Sequence, residues 1–362
     1  MPATPLQSID LDRLSRDIRT WGRELGFDQI GIAGTELGRD ELQLLDWLAR
    51  GRHGAMSYME RHGVRRSRPT ELMPGTLRVI SGRMNYLPAD AADMNRVLGD
   101  GALAYVARYA LGQDYHRLLR RRMQALAKRI ESTAGPFGYR AFCDSAPVME
   151  KPLARNASLG WIGKHTNLIS REAGSWFFLA ELYTDLPLPL DAPAADHCGS
   201  CSRCLEACPT GAIVGPYQLD ARRCIAYLTI ELRAAIPEDL RPLVGNRIFG
   251  CDDCQIVCPW NRTAQTATLA EFAPRHGLDA SKLLQLFAWT EEEFQHRTEG
   301  SAIRRTGYEC WLRNIAVALG NAPADAAVRA ALLARCDHPS ELVREHVRWA
   351  LARQQAGTVR AV

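Results

Sequence analysis

Eight of the eleven cysteines fall between Cys198 and Cys258, and their spacing constrains what this chain can fold into more than any other feature. Cys198-x2-Cys201-x2-Cys204-x3-Cys208-Pro209 has the rhythm of bacterial ferredoxins, in which three close thiolates hold one cubane and the fourth crosses to a second. Cys251-x2-Cys254-x3-Cys258-Pro259 matches the last three positions of that run, but Ile248 stands where its first cysteine would be. Two cubanes need eight thiolates; the two runs supply seven, and Cys224 is the only other cysteine in the segment. Ligand counting therefore assigns Cys198, Cys201, Cys204 and the crossing Cys258 to one 4Fe–4S cluster, and Cys208, Cys224, Cys251 and Cys254 to the other. A pair of four-cysteine zinc sites is the competing use of such residues; the Cys-Pro endings and the two-run layout argue against it. Cys310 and Cys336 lie in Ala/Leu-rich helical surroundings and read as small core hydrophobes. Cys143 is strand-like and borders Asp144.

Such a cluster belongs in a reducing compartment, where thiols bind metal rather than pair as disulfides. No apolar run approaches the ~18–20 residues of a membrane span. The start, Met1-Pro-Ala-Thr-Pro-Leu-Gln-Ser, lacks the basic-then-apolar pattern of a signal peptide. A cytoplasmic protein without membrane association is expected, with two or three domains over 362 residues. Of 45 basic residues only Lys128, Lys151, Lys164 and Lys282 are lysines, so a retained lysine stands out for its amine.

The first 190 or so residues alternate helical and strand patterns. Leu11 to Leu25 carries apolar residues at helical spacing, Gln29 to Ala33 and Leu77 to Ser81 read as strands, and Asp114 to Thr133 is an amphipathic helix. Tyr139 to Cys143 is a third strand. Trp161 to Ser170 and Trp176 to Tyr183 are expected to pair as a hairpin through Arg171–Gly174. Pro187, Pro189 and Pro193 mark a linker. Beyond Ala302 the chain turns helical, and Trp311–Gly320 overlays Val343–Ala352 at a period of 32, a faint helical repeat.

Iron–sulfur clusters move single electrons and do no organic chemistry, so the upstream domain must hold a substrate site or another redox centre. No Gly-x-Gly-x-x-Gly fingerprint or P-loop is present; Gly160-Trp-Ile-Gly-Lys164-His165 lacks the phosphate-loop spacing. Three positions are candidates for chemistry. His116 starts the basic helix beside Asp114 and Tyr115, where a solvated or capping role is the commoner use. Asp144 ends a strand, where an N-cap is the commoner use, although partial burial would suit it to donating a proton near neutrality. Lys164 could pair with an anion.

Longer stretches carry a family likeness. Arg108-Tyr-Ala-Leu-Gly-Gln-Asp-Tyr-His116, Asp144-Ser-Ala-Pro-Val-Met-Glu-Lys-Pro-Leu-Ala, Leu159-Gly-Trp-Ile-Gly-Lys-His-Thr, Leu219-Asp-Ala-Arg-Arg-Cys-Ile and Gly250-Cys-Asp-Asp-Cys-Gln-Ile-Val-Cys-Pro-Trp-Asn261 resemble the epoxyqueuosine reductases. The resemblance implies an α+β chain in three parts. These are a nitroreductase-like cobalamin-binding catalytic domain (1–187), a ferredoxin-like domain with two 4Fe–4S clusters (188–300) and a HEAT-like helical tRNA-binding region (301–362). It implies reduction of epoxyqueuosine to queuosine at the tRNA wobble position, with cobalamin and both clusters. Asp144 falls on the family's proton-donating aspartate, and burial beside the corrin would keep it protonated. His116 falls on an active-site histidine that, with Tyr115, contacts cobalamin or substrate. Lys164, Arg108 and Tyr109 fall on the cobalamin side. Cys143 replaces an aliphatic residue and Ser67-Arg-Pro an Asp-Pro step, which bears on the N-terminal cobalamin contacts.

The implied partners are tRNA and a low-potential one-electron donor, ferredoxin or flavodoxin; the chain is expected to be a monomer. Arg117, Arg120, Arg121 and Arg122, and a tail from Ser301 with nine arginines against five acids, would meet tRNA phosphates. The competing functions are a reductive dehalogenase-like corrinoid enzyme on a small molecule and an electron-transfer module without its own substrate. The absent export signal and the helical tail disfavour the dehalogenase.

Overall fold

The computed structural model describes residues 9–359. A four-stranded antiparallel sheet runs in the order Gln29–Ala33, Arg78–Asn85, Phe177–Thr184, Tyr139–Cys143. Every residue of Phe177–Thr184 is buried, so this strand is covered on both faces and its alternating side chains enter two different cores. Phe178, Ala180 and Leu182 join Leu14 and Ile18 of the Leu11–Glu24 helix and Leu119, Met123, Leu126 and Ile130 of the Tyr115–Ala134 helix. Each such leucine contributes about 1.5–3 kcal/mol by leaving water. Leu179 and Tyr183 face the other way, toward Ala154 and Leu153 of the short Glu150–Asn156 helix. Gly31 is required on that face, since a Cβ there would lie 1.9 Å from the Ala157 carbonyl oxygen.

Asp114 caps the Tyr115–Ala134 helix, accepting from the His116 amide at 3.2 Å, and Gly135 ends it at φ 79°. Asp144 caps nothing: the next helix begins at Glu150, behind Met149. The predicted hairpin is replaced by a smaller one. Trp161–Ile162 pairs with Leu168–Ile169, and only an isolated Ser170–Gly174 bridge precedes the central strand. The physical cause is a turn within the stretch that reads as one strand. Thr166 takes a positive φ of 68°, and the Asn167 amide donates to His165 Nδ1 at 3.1 Å. The proline-marked linker is fastened rather than loose, because the Asp191 carboxylate accepts from Arg19 and from the Ile32 amide, both at 2.7 Å.

The cysteine segment is tied to the first layer by a parallel bridge between Tyr105–Val106 and Arg247–Phe249. Residues around that bridge, Ala104, Val106, Ile248 and Phe249, share a core with Trp311, Ile315 and Leu319 of the Tyr308–Asn321 helix. That helix is buried from Cys310 to Gly320. It packs on the Glu341–Val359 helix so closely that a Cβ on Gly320 would come within 2.9 Å of Ala350 Cα. These are the two stretches that share the period of 32. No helix among the described residues is long and apolar enough to cross a membrane.

Candidate active site

The N-terminal end of the Tyr115–Ala134 helix and the loop after strand Tyr139–Cys143 meet at the floor of a cleft of about 780 Å³. There Tyr115 Oη donates to Asp144 Oδ2, and His116 Nε2 pairs with Asp144 Oδ1. The second ring nitrogen, His116 Nδ1, lies 2.7 Å from Asp114 Oδ1, and Asp114 is in turn paired with Arg305. Burial alone would pull the His116 imidazolium down. The carboxylates of Asp114 and Asp144 on its two nitrogens outweigh that and raise it to about 9. Burial acts on Asp114 in the opposite sense, yet the bonds from His116 and Arg305 hold its carboxyl below the usual range. Tyr115 stacks on Phe178 with ring centres 3.9 Å apart, which fixes its hydroxyl toward Asp144.

Asp144 itself is not enclosed: its side chain is 36% exposed. Burial, the expected reason for its carrying a proton, is therefore not what surrounds it; two donors that stabilise its carboxylate and can pass it a proton are. Behind it a cavity of about 120 Å³ shares Tyr115, Asp144, Glu150 and Lys151 with the cleft. Glu150, which lines this cavity, has Oε2 buried without a hydrogen-bond partner, and Glu181 of the central strand has both carboxylate oxygens buried in the same way. Burial, reinforced by Asp144 and at Glu181 also by Glu150, pushes both carboxyls above the ordinary range. Lys151 Nζ donates to the Thr166 carbonyl at 3.1 Å and to Asn167 Oδ1 at 3.3 Å, and burial pulls its amine down. A second cleft of about 800 Å³ opens beyond, sharing Leu44, Met59, Met149, Lys151 and Pro152 with the first.

All eleven cysteines are unpaired thiols. The helices Arg203–Glu206 and Asp253–Ile256 pack on one another and bring the two runs together. Cys198 and Cys258, distant in sequence, meet in one apolar cluster with Trp161, Ile169 and Trp260. The field of the Cys198, Cys201 and Cys258 thiols reaches Cys204 after burial has acted on it, so the first assigned set is gathered in space. Cys224 and Cys251 pack into another cluster, with Trp47 and Met56 against it. Cys254, raised first by burial, feels the thiols of Cys224 and Cys208 and also that of Cys204 in the first set, so the two sets adjoin. Gly250, at φ 71°, lets Cys251 approach: a Cβ there would sit 2.5 Å from that of Ala107.

The structure thus brings Asp144, His116, Tyr115 and Tyr109 to one cleft. It sends two other expected cofactor contacts elsewhere. Arg108 is buried; its guanidinium donates to the Ala92 carbonyl and its amide donates to Asp252 at 2.8 Å. Lys164 turns to the cysteine loop, donating to the carbonyls of Gly199 at 2.6 Å and Cys201 at 2.9 Å. Glu150, Lys151, Arg66 and Arg305 line the cleft without having been singled out. Only Lys151 carried a signal, its rarity. The departure at Ser67-Arg68 is absorbed away from the floor: both side chains bind Glu41, at 2.7 Å each.

A sequence model of the epoxyqueuosine reductase (QueG) family matches residues 66–145, and a 4Fe-4S double cluster binding domain matches residues 197–261. The chain is 62% identical over 353 residues to an epoxyqueuosine reductase of Pseudomonas aeruginosa, covering 97% of each chain. It is 56% identical to the epoxyqueuosine reductase of Escherichia coli, covering 96% of this chain and 91% of that one. Among solved structures it resembles an epoxyqueuosine reductase bound to an epoxyqueuosine-modified tyrosine tRNA stem loop. That likeness has a TM-score of 0.87 at 27% identity, over 95% of this chain and 91% of the other. A Bacillus subtilis epoxyqueuosine reductase, with its catalytic aspartate loop swung out of the active site, matches over the same shares at a TM-score of 0.86 and 27% identity.

Proposed function

The chain belongs to the epoxyqueuosine reductase family, and we propose that its cleft reduces epoxyqueuosine in tRNA to queuosine with Asp144 as the proton donor. The observation that carries this reading is Asp144 at the floor of the cleft, bonded to two proton donors. Removing an epoxide oxygen to leave an alkene takes up two electrons and two protons and releases water. The chain must therefore provide an electron path and a proton source at one place.

Asp144 takes the proton that His116 Nε2 holds against it and hands it to the epoxide oxygen as the C–O bond opens. Asp114 and Arg305 hold the ring in the orientation this needs. The departing oxygen takes a second proton to leave as water. Glu150 shares the inner cavity with Asp144 and keeps its proton at a higher pH than an ordinary carboxyl, which suits it to that role.

The eight gathered thiols suit two 4Fe–4S clusters, with Cys198, Cys201, Cys204 and Cys258 on one and Cys208, Cys224, Cys251 and Cys254 on the other. The pair of linked clefts suits cobalamin in size and in chemistry. Leu44, Met59 and Met149 offer apolar contact along the shared wall. Lys151 and Arg66, whose Nε is buried without a partner, offer donors. Bound cobalamin would supply a redox-active cobalt that passes electrons from the clusters to the substrate. Lys164 and Arg108 are left out of this assignment, since both side chains are engaged elsewhere.

Of the two basic regions expected to meet tRNA phosphates, the helix beside the cleft suits that role better than most of the tail. Arg61 and Arg305 line the mouth of the cleft, while Arg117, Arg120 and Arg121 are exposed on the adjoining helix. In the tail, Arg313 is buried on backbone carbonyls and Arg344 and Arg348 are paired with Glu341. We read residues 1–187 as the nitroreductase-like catalytic part, 188–300 as the ferredoxin-like part and 301–362 as a HEAT-like support for tRNA. The protein would work as a cytoplasmic monomer fed by ferredoxin or flavodoxin. Anaerobic turnover of an epoxyqueuosine-containing stem loop by cofactor-loaded protein tests the reading. Queuosine formed under a low-potential donor is the expected result, and none formed would contradict it.

A further inference from the structure

The two cysteine sets do not face the same surroundings. Phe249 lines the active-site cleft and Gln255 the cavity behind it, which places the Cys224, Cys251 and Cys254 side of the segment against the chemistry. Cys258 instead lines an open hollow of about 630 Å³ on the outer surface, with Ala207, Ile256 and Val257 as its apolar floor. The hollow lies between the packed helices Arg203–Glu206 and Asp253–Ile256 and the Pro259–Thr263 turn. Arg203 and Arg262 stand exposed at its rim, and neither makes an ion pair among the described residues. The one acid there, Glu206, accepts the Ser202 hydroxyl.

We propose that this hollow is the docking face for an acidic one-electron carrier protein, and that electrons enter through the cluster assigned to Cys198, Cys201, Cys204 and Cys258. The inference rests on the two-cluster reductase reading above. Electron transfer needs brief encounters, and small wet interfaces with complementary charge provide them. An apolar floor over a thiolate ligand with two unpaired cations around it selects an anionic partner that presents its redox group at the centre of its own face. The balance is simple. Each docking oxidises the carrier by one electron and reduces the outer cluster by one. Two dockings serve one epoxide, and both protons come from the active site rather than from the carrier.

The test uses the cofactor-loaded full chain with Arg203→Glu and Arg262→Glu together, and two reductants. One is reduced flavodoxin, an acidic protein; the other is reduced methyl viologen, a small cation that needs no docking face. Turnover of the epoxyqueuosine stem loop with viologen should stay within about twofold of the parent. With flavodoxin the KM should rise roughly tenfold or more and lose its dependence on salt. Replacing both residues by lysine should restore most of the loss. An unchanged flavodoxin KM overturns the docking face, and so does an equal loss with both reductants, which would mark these arginines as supports of the cluster. If the parent protein fails with viologen, it is the reductase reading that fails.

Discussion

The imidazole of His116 and the carboxylate of Asp144 are a bonded pair, Nε2 to Oδ1, at the floor of the cleft. Asp114 on the opposite nitrogen makes His116 a cation between two carboxylates. The proton that Asp144 hands on is therefore supplied by a neighbour already in contact with it. A lone carboxyl with this exposure would have to recover its proton from solvent.

This pairing has a pH signature. His116 is raised from the ordinary imidazole value to about 9, the carboxylates of Asp114 and Asp144 overcoming the effect of burial. Because the folded value lies above the unfolded one, the stabilisation is complete below about pH 6.5 and is lost as pH rises through 9. Its size is on the order of 3 kcal/mol at most. Urea unfolding of the parent should show this loss between those pH values, and His116→Gln should flatten it. Turnover should likewise fall on the alkaline side near pH 9 in the parent.

Glu150→Gln keeps the shape of the side chain and removes its proton. Burial and the nearby Asp144 raise the Glu150 carboxyl, so its ionised form disfavours the fold as pH rises above the ordinary carboxylate range. The variant should be at least as stable as the parent at pH 8.5 yet turn over roughly 10²-fold more slowly, as expected for loss of a positioned acid. Thermal melts and stopped-flow rates on the same preparation check both halves. A rate equal to that of the parent would remove Glu150 from the proton path.

Cys224 lies outside both cysteine runs, and its ligand role rests on counting and on its place beside Cys251. Cys224→Ala should lower iron per chain toward that of a single cluster, whereas Cys310→Ala, buried in the Tyr308–Asn321 helix, should leave it unchanged. Iron and sulfide analysis of anaerobically reconstituted protein distinguishes the two.

Lys164 and Lys151 should part company. Lys164→Met removes the donor that clasps the Gly199 and Cys201 carbonyls, a loss of about 1–3 kcal/mol from charge-assisted bonds. The outer cluster should then lose iron faster to a chelator, with cobalamin retention unchanged. Lys151→Met should do the reverse, weakening cobalamin retention measured by the corrin absorbance.

The cysteine rhythm made the cluster segment legible because ligand spacing is local chemistry. Long amphipathic stretches such as Leu11–Glu24 and Tyr115–Ala134 were legible for the same reason. What was not legible depended on distant contacts. Trp161–Ser170 has the composition of one strand, and only the turn at His165–Asn167 folds it back on itself. The bridge between Tyr105–Val106 and Arg247–Phe249 is too short to leave a pattern. Lys164 and Arg108 sit in the right motifs, yet their side chains are drawn to backbone carbonyls that no motif records. Arg305 reaches the site from the tail, where charge alone gave no reason to separate it from Arg344 or Arg348.

Proton delivery from Asp144 to the epoxide oxygen is the decisive step. Its most direct test is a single-turnover experiment, under anaerobic conditions, on protein with both clusters and cobalamin reduced beforehand. Parent and Asp144→Ala are compared at saturating epoxyqueuosine stem loop. The variant should bind the stem loop with the affinity of the parent and form queuosine about 10²–10⁴ times more slowly. Queuosine formation at the parental rate by fully loaded Asp144→Ala protein would contradict it.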